Sequence, residues 1–334
     1  MKNRRDFLVG VATGVVVLGA HAKDGLAGII NNPLAEASKP KVIVAHDPQL
    51  RGSNGRPNDN RVLALLDRSI AASTGLHPSV EAWKHILGPA KRIGIKVNLL
   101  GGKGLCTHVS LVLAVCERLH QAGILESNII VWDRLTREFE TCGYTVSTDP
   151  NHLRCFGTDM AGYGYEEQPV SFGRASVKLS RILTRHCDMV INLPILKDHS
   201  GAGITFSMKN MYGVVERPMD LHGGGCNPYV ADLNRIPAIH EKVRFTIGDA
   251  FTACYQGGPG FQPENTWQPD SLLVGVDRVA IDHTALQIIE HKRMEMKLPT
   301  LEAAGRPARY IATAADADHQ LGFDDPTRFS LVEI

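Results

Sequence analysis

Apolar and polar positions fall into blocks along the chain, and the period of each block predicts its element. At residues 62–72 the apolar Val62, Leu65, Leu66 and Ile70 recur three and four positions apart, the spacing of a helix that buries one face. Residues 80–87 repeat that pattern more briefly. Short, largely apolar segments predict buried strands instead: Val42-Ile43-Val44-Ala45, residues 92–98, Ile129-Ile130-Val131-Trp132, and residues 189–193, 244–248 and 272–276. Between the second and third of these, Thr107 caps a helix that turns Val109, Val112, Leu113, Cys116 and Leu119 inward, and Gly123 stops it. Strand, glycine-bearing loop, helix and strand make a βαβ unit, which implies parallel neighbours and a right-handed crossover. Farther on, helices are predicted over 182–187, 204–212, 229–239 and 279–289. A weak strand is expected at 176–179, and late strands at 309–313 and 329–332 flank a short helix from Ala315. The alternation gives an α/β fold class: a mainly parallel central sheet flanked by helices, with an irregular polar insertion over 134–173.

Composition narrows the class only slightly. The 334 residues are 43% hydrophobic and 21% charged, ordinary for a globular protein, and are read as one α/β domain over 41–334 behind a signal and linker over 1–40. A formal net charge of +1 offers no global field for nucleic acid. The N-terminus says more. Arg4-Arg5 precedes Phe7-Leu8, an apolar run follows over 9–18, and Ala20-His21-Ala22 offers a small-residue cleavage site, with Ala35-Glu36-Ala37 a second. This pattern resembles a twin-arginine export signal, and the run is short for a membrane span. The expectation is a periplasmic or otherwise extracytoplasmic protein delivered folded by the twin-arginine machinery. An uncleaved anchor or a basic tail is the alternative. The seven cysteines are irregularly spaced with no CxxC, so no zinc-ribbon or iron–sulfur cluster motif is present. Their odd number leaves at least one unpaired within a monomer, and spacing assigns no pairing.

Candidate chemistry gathers in residues 188–213. An apolar strand ends at Pro194; Lys197, His199, Gly201 and Gly203 follow in what reads as a loop, and Lys209 and Asn210 sit on the predicted helix. Other predicted strands end at Lys96 and Asn98, at Asp133, at Asp249 and before Asp277. Ligands of parallel α/β sheets sit outside the carboxyl ends of strands. One pocket is therefore expected, with Lys197, His199 and Lys209 catalytic and Lys96, Asn98, Asn210, Asp249 and Gly258 binding substrate. Buried lysines need an anion. It is either a substrate carboxylate or phosphate, or the protein's own Asp249 and Asp277. A desolvated lysine is a nucleophile, and His199 suits a general base or metal ligand. Metal has weaker support: His46, Asp47, His222, Asp249 and Asp282 are candidates without ligand spacing. Gly101-Gly102-Lys103-Gly104 lacks the spacing of a phosphate-binding loop, and the cofactor is left open.

Several of these pieces together resemble one family. They are Ile95-Lys96-Val97-Asn98-Leu99, Asn192-Leu193-Pro194, Leu196-Lys197-Asp198-His199, Ser207-Met208-Lys209-Asn210-Met211-Tyr212-Gly213, Gly248-Asp249-Ala250, Gly257-Gly258-Pro259 and Asp277-Arg278-Val279-Ala280-Ile281-Asp282. Their order and wording resemble the domain-of-unknown-function family 362, from about residue 41 to 333. The resemblance implies the α/β fold more than an activity, since the family is largely uncharacterised. Many members carry ferredoxin-type four-cysteine runs, and this chain has none. Where the family usually has a lysine after the proline at 194, Ile195 stands here. The functional expectation is an exported enzyme acting on a small anionic molecule. The alternatives are a non-catalytic anion- or metal-binding module and a subunit serving a redox partner.

Overall fold

The computed structural model describes residues 39–77 and 79–334; the arginine pair and apolar run near the N-terminus lie outside the described residues. The main sheet has the strand order β13-β1-β12-β10-β7-β2-β3-β4. These strands are β1 (Lys41–His46), β2 (Ile93–Lys96), β3 (Ile129–Asp133), β4 (Arg154–Gly157), β7 (Met189–Asn192), β10 (Val243–Cys254), β12 (Ser271–Gly275) and β13 (Ser330–Glu333). From β10 to β4 every pairing is parallel, whereas β12 runs antiparallel to both β1 and β10. Three short strands extend the sheet along β10: β8 (Ile195–His199), β9 (Gly203–Thr205) and β11 (Thr266–Trp267). A separate ribbon of β5 (Val170–Phe172) and β6 (Ala175–Val177) lies within the irregular segment. The sheet is thus mixed but mainly parallel, in an α/β fold. The strands expected to end at residues 98, 133, 193, 249 and 276 all belong to it.

Strand side chains alternate between faces, and this divides the core in two. Ile129, Val131, Ile93, Ile95 and Ile191 face a layer of α1 (Asp59–Thr74), α2 (Ser79–Leu87) and α3 (Val109–Gln121). Ile130, Trp132 and Val190 face the opposite layer. That layer contains α5 (Tyr229–Arg235), α6 (Pro237–Lys242), α7 (Arg278–Glu295) and α8 (Tyr310–Ala315), while α4 (Arg137–Thr141) follows β3. Strands covered on both faces read as continuous apolar runs, which is why they were visible as such.

Five local expectations are corrected. Residues 204–212 are not one helix: β9 comes first and a 3-10 turn over Lys209–Val214 follows. Residues 203–205 are held in the ladder with β8, and the Asp282 carboxylate on α7 accepts the N–H groups of Ser207 (2.6 Å) and Met208 (3.1 Å) at the start of the turn that follows. Lys197 and His199 accordingly lie in a strand of the β8–β9 hairpin and not in a loop. Where a strand was expected over 309–313 the chain forms α8 (Tyr310–Ala315), with Tyr310, Ile311 and Ala314 buried at helical spacing. The helix read over 229–239 is split at Ile236, because Pro237 supplies no N–H to continue it. Thr107, finally, is no cap: its hydroxyl donates to Leu193 O (2.7 Å) and accepts Asn98 N–H (2.9 Å).

Candidate functional site

Beyond the carboxyl ends of β2 and β3 lies a cavity of about 330 Å³, whose wall includes Asn98, Asp133, Arg134, Glu138, His199, Thr205, Lys209, Asn210, Tyr212 and His222. Two features of the backbone assemble it. The parallel register sets Lys96 beside Trp132 and Asn192, so the β2, β3 and β7 ends are level. After Pro194 the chain resumes as β8, and the β8–β9 hairpin leads into the turn at 209–214, which brings Lys209 and Asn210 over those ends.

Beneath the cavity runs a continuous polar chain. Lys96 Nζ donates to Asp133 Oδ1 (2.7 Å) and to Val97 O (2.7 Å). The other Asp133 oxygen accepts Leu99 N–H at 2.8 Å. Asn98 Nδ2 donates to Asn210 Oδ1 (3.0 Å), and Asn210 Nδ2 donates to Asn192 Oδ1 (2.7 Å). Lys197 Nζ donates to Asn98 Oδ1 at 2.9 Å. A side chain at Gly213 would have no room: its Cβ would sit 2.6 Å from Asp133 Oδ1 and 2.7 Å from Lys96 Nζ. The glycine lets the turn close onto the ion pair.

The three lysines are all buried, yet their electrostatic situations differ. Lys96 has a carboxylate partner. Among the described residues, neither Lys197 nor Lys209 has a carboxylate within ion-pair distance. Burial pulls the Lys197 ammonium down to about 8, against the weaker attraction of Asp133. Burial likewise pulls Lys209 down to about 8, with the Cys226 thiol opposing it. Lys209 Nζ lies 3.6 Å from the centre of the Tyr212 ring and 3.4 Å from His222 Nε2. His222 Nδ1 is 2.9 Å from Pro218 O, so it carries the proton and Nε2 is free to accept from Lys209. His199 Nδ1 accepts the N–H groups of Gly201 (3.0 Å) and Ala202 (3.1 Å), which leaves its proton on Nε2. Burial, then the Lys209 charge, lowers His199 to about 3. It is a neutral N–H donor at working pH, stacked 5.6 Å from His222. Glu138 is raised by burial and by Asp133. Thr205 Oγ1 and Arg134 Nε, both in the cavity wall, are buried and have no hydrogen-bond partner among the described residues.

Of the predicted residues, Asn98, His199, Lys209 and Asn210 line the cavity, and Lys96 and Lys197 join the polar chain under it. Asp249 and Gly258 do not. Strand β10 continues to Cys254, so Asp249 sits in mid-strand and not past its end. Its carboxylate meets the start of α3, accepting His108 N–H (2.7 Å) and lying 2.9 Å from His108 Nδ1. Gly258 donates to Asp198 Oδ1 (2.6 Å) and leaves no space for a Cβ against Asp198 O, a close-packing role. Asp277, the other internal counter-ion considered, accepts from Val279 and Ala280 N–H as the cap of α7. Among the described residues no group of three or more His, Cys, Asp or Glu is arranged to hold a metal ion. Of the metal candidates, Asp47 is held by Arg61 and Asp282 by the 207–208 backbone. Sequence reasoning missed Arg134, Glu138, Thr205 and Tyr212. Only Tyr212 carried a signal, since it shares a motif with Lys209.

The model of the family described as "Domain of unknown function (DUF362)" matches residues 93–287. No curated protein matches the chain. A crystal structure of a Thermotoga maritima protein from a structural genomics consortium is similar at 12% identity and a TM-score of 0.40, covering 70% of this chain and 59% of that one. This chain therefore spans less than two thirds of that protein's length. The family match extends over Lys96, Asn98, Asp133, Lys197, His199, Lys209, Asn210 and His222, so it takes in both the cavity wall and the lysines beneath it. The chain belongs to the DUF362 family of proteins with a domain of unknown function.

Proposed function

We propose that the protein is an exported enzyme acting on a small anionic substrate, with a carboxylate or phosphate group held by the ammonium of Lys209 and the N–H of His199. The observation that carries this reading is the missing counter-charge. Lys209 faces the cavity and Lys197 lies under it, and among the described residues neither has a carboxylate partner, whereas Lys96 does. A buried ammonium without a partner is costly, and an anionic ligand would supply the charge. The internal alternatives are otherwise engaged, Asp249 with His108 and Asp277 with the start of α7. The unpartnered Thr205 hydroxyl and Arg134 Nε supply further polar contacts in the same wall.

Chemistry follows from the Lys209 pKa. With a value near 8, roughly a tenth of the side chain is free amine at neutral pH. That fraction suffices for a nucleophile or base, while the rest binds the anion. Lys197 sits behind Asn98 and acts through it, by fixing the orientation of the amide. The test is calorimetric titration of the protein at pH 7 with inorganic phosphate and, separately, with oxalate and pyruvate. At least one should bind saturably, and Lys209→Met should abolish that binding. Failure of all three, or undiminished binding by the variant, would sink the reading.

A further inference from the structure

The cavity beyond β2 and β3 changes character from floor to mouth. Its buried wall is polar, with His199, Thr205, Lys209 and Asn210. Its solvent side is apolar: Leu100 and Met219 line the same cavity and are 61% and 73% exposed, and Pro218 and Pro259 line it as well. An exposed leucine or methionine standing singly is ordinary. Apolar residues from three separate segments that meet at the mouth of one cavity are not, because such a cluster marks a surface that something covers. We propose that the ligand is an amphiphile, a small anion whose head group reaches Lys209 and His199 and whose short alkyl tail lies against Leu100 and Met219. This rests on the anion site proposed above and names the class of molecule that would fill it.

The apolar side chains are held in place by the same segments that place the polar ones. Leu100 stands two residues beyond Asn98, and the Leu99 between them donates its N–H to Asp133 (2.8 Å) and accepts Gly102 N–H (2.8 Å). Met219 lies in a 3-10 turn over Pro218–Leu221 that is tied to the polar wall at both ends. His222 Nδ1 donates to Pro218 O (2.9 Å), and the Tyr212 hydroxyl donates to Leu221 O (2.7 Å). Pro259 follows Gly258, whose N–H is fixed on Asp198 Oδ1 (2.6 Å). Well-bonded backbone thus holds apolar surface in water, and an alkyl tail lying on it would remove both surfaces from solvent. The methionine side chain is adaptable, so the tail is selected for being apolar more than for its shape. At about 330 Å³ the cavity is at the small end of the usual range of roughly 300–1,000 Å³ for ligand sites. It suits a head group with a tail of a few carbons. Each methylene taken from water onto this surface should tighten binding about fourfold.

The experiment titrates the protein by calorimetry at pH 7 with acetate, butyrate, hexanoate and octanoate, and with the methyl, butyl, hexyl and octyl monoesters of phosphate. In the series whose head group fits, affinity should rise about fourfold per methylene up to the hexyl member and level off at the octyl one. Met219→Ser and Leu100→Ser, both at exposed positions, should each reduce that rise to about twofold or less per methylene. 1-Hexanol, which has the tail without the charge, should bind at least a hundredfold more weakly than the hexyl anion. If short and long members bind equally, or if both variants keep the rise of the unaltered chain, the amphiphile is refuted and the anion site stands. If no member of either series binds, or if hexanol binds as tightly as the hexyl anion, the anion site falls as well. The chain-length series is measured on the unaltered chain, so a variant that failed to fold would leave it decisive.

Discussion

Replacing Lys209 by methionine should make the protein more stable while removing the proposed anion binding. The side chain is buried, and burial depresses its ammonium from 10.5 to about 8 in the folded state. At about 1.4 kcal/mol per pH unit, this corresponds to about 3 kcal/mol of folding free energy forfeited at pH 7. Methionine has similar length, flexible rotamers and no charge, so it avoids that cost. Against this, the ammonium sits 3.6 Å from the centre of the Tyr212 ring, and losing that contact costs about 1–2 kcal/mol. The net expectation is a gain of about 1–2 kcal/mol.

The dependence on pH separates this cause from a simple packing effect. Because the folded pKa lies below the unfolded one, the unfolded chain binds more protons between pH 8 and 10.5. Wild-type stability from this group therefore rises with pH across that window, and the advantage of the variant shrinks to nothing at its upper end. The assay is urea unfolding in a buffer free of phosphate and carboxylates, at pH 7 and at steps up to 10.5, for both proteins. A variant midpoint at or below wild type at pH 7, or an advantage that does not shrink as pH rises, would refute the reasoning.

Further outcomes follow from the same geometry. Wild-type affinity for the anion should hold up to about pH 8 and fall about tenfold per pH unit above it, as Lys209 loses its proton; calorimetry at stepped pH checks this. Asp133→Asn leaves the buried Lys96 ammonium without its counter-ion and should cost about 3–5 kcal/mol in chemical denaturation. Gly213→Ala drives a methyl to 2.6 Å from Asp133 Oδ1 and should cost about 1–3 kcal/mol, read the same way. Changing Arg4 and Arg5 together to lysine should hold the precursor in the cytoplasm; normal export of that variant would refute the twin-arginine reading.

How much of this was legible in the sequence depends on the range of the interaction involved. The parallel strands announce themselves because a strand covered on both faces has no polar positions: Ile129 to Trp132 is apolar throughout, and the structure buries all of it. Lys96 and Asp133 were placed at strand ends by the same runs, and the parallel register then brings them together. The hairpin of Lys197 was hidden, since what takes residues 203–205 out of a helix is their pairing with β8, and the Asp282 carboxylate that receives the Ser207 N–H lies about 75 positions away along the chain. Asp249 was misplaced for a related reason. The apolar run suggested an end at Gly248, whereas β8 provides a partner that carries β10 on to Cys254. Glu138 and Arg134 lie in a segment without periodicity, and nothing local distinguishes them from solvated side chains.

The two buried lysines that have no carboxylate partner among the described residues bear on the proposed role of the cavity. A chain selected only to fold would gain by replacing Lys197 and Lys209 with apolar residues of the same length, because both are buried and both are pulled to about 8. The surrounding structure is nevertheless built to hold them. Asn98 turns its oxygen toward Lys197 while its amide nitrogen is taken by Asn210, and His222 keeps its proton on the Pro218 side so that its free nitrogen faces Lys209. These contacts orient the ammonium groups without neutralising them. A carboxylate in place of Asn98 or His222 would have neutralised the ammonium beside it. On the proposed reading an anionic ligand supplies the missing counter-charge and offsets, when it binds, what the buried ammonium groups cost the folded state.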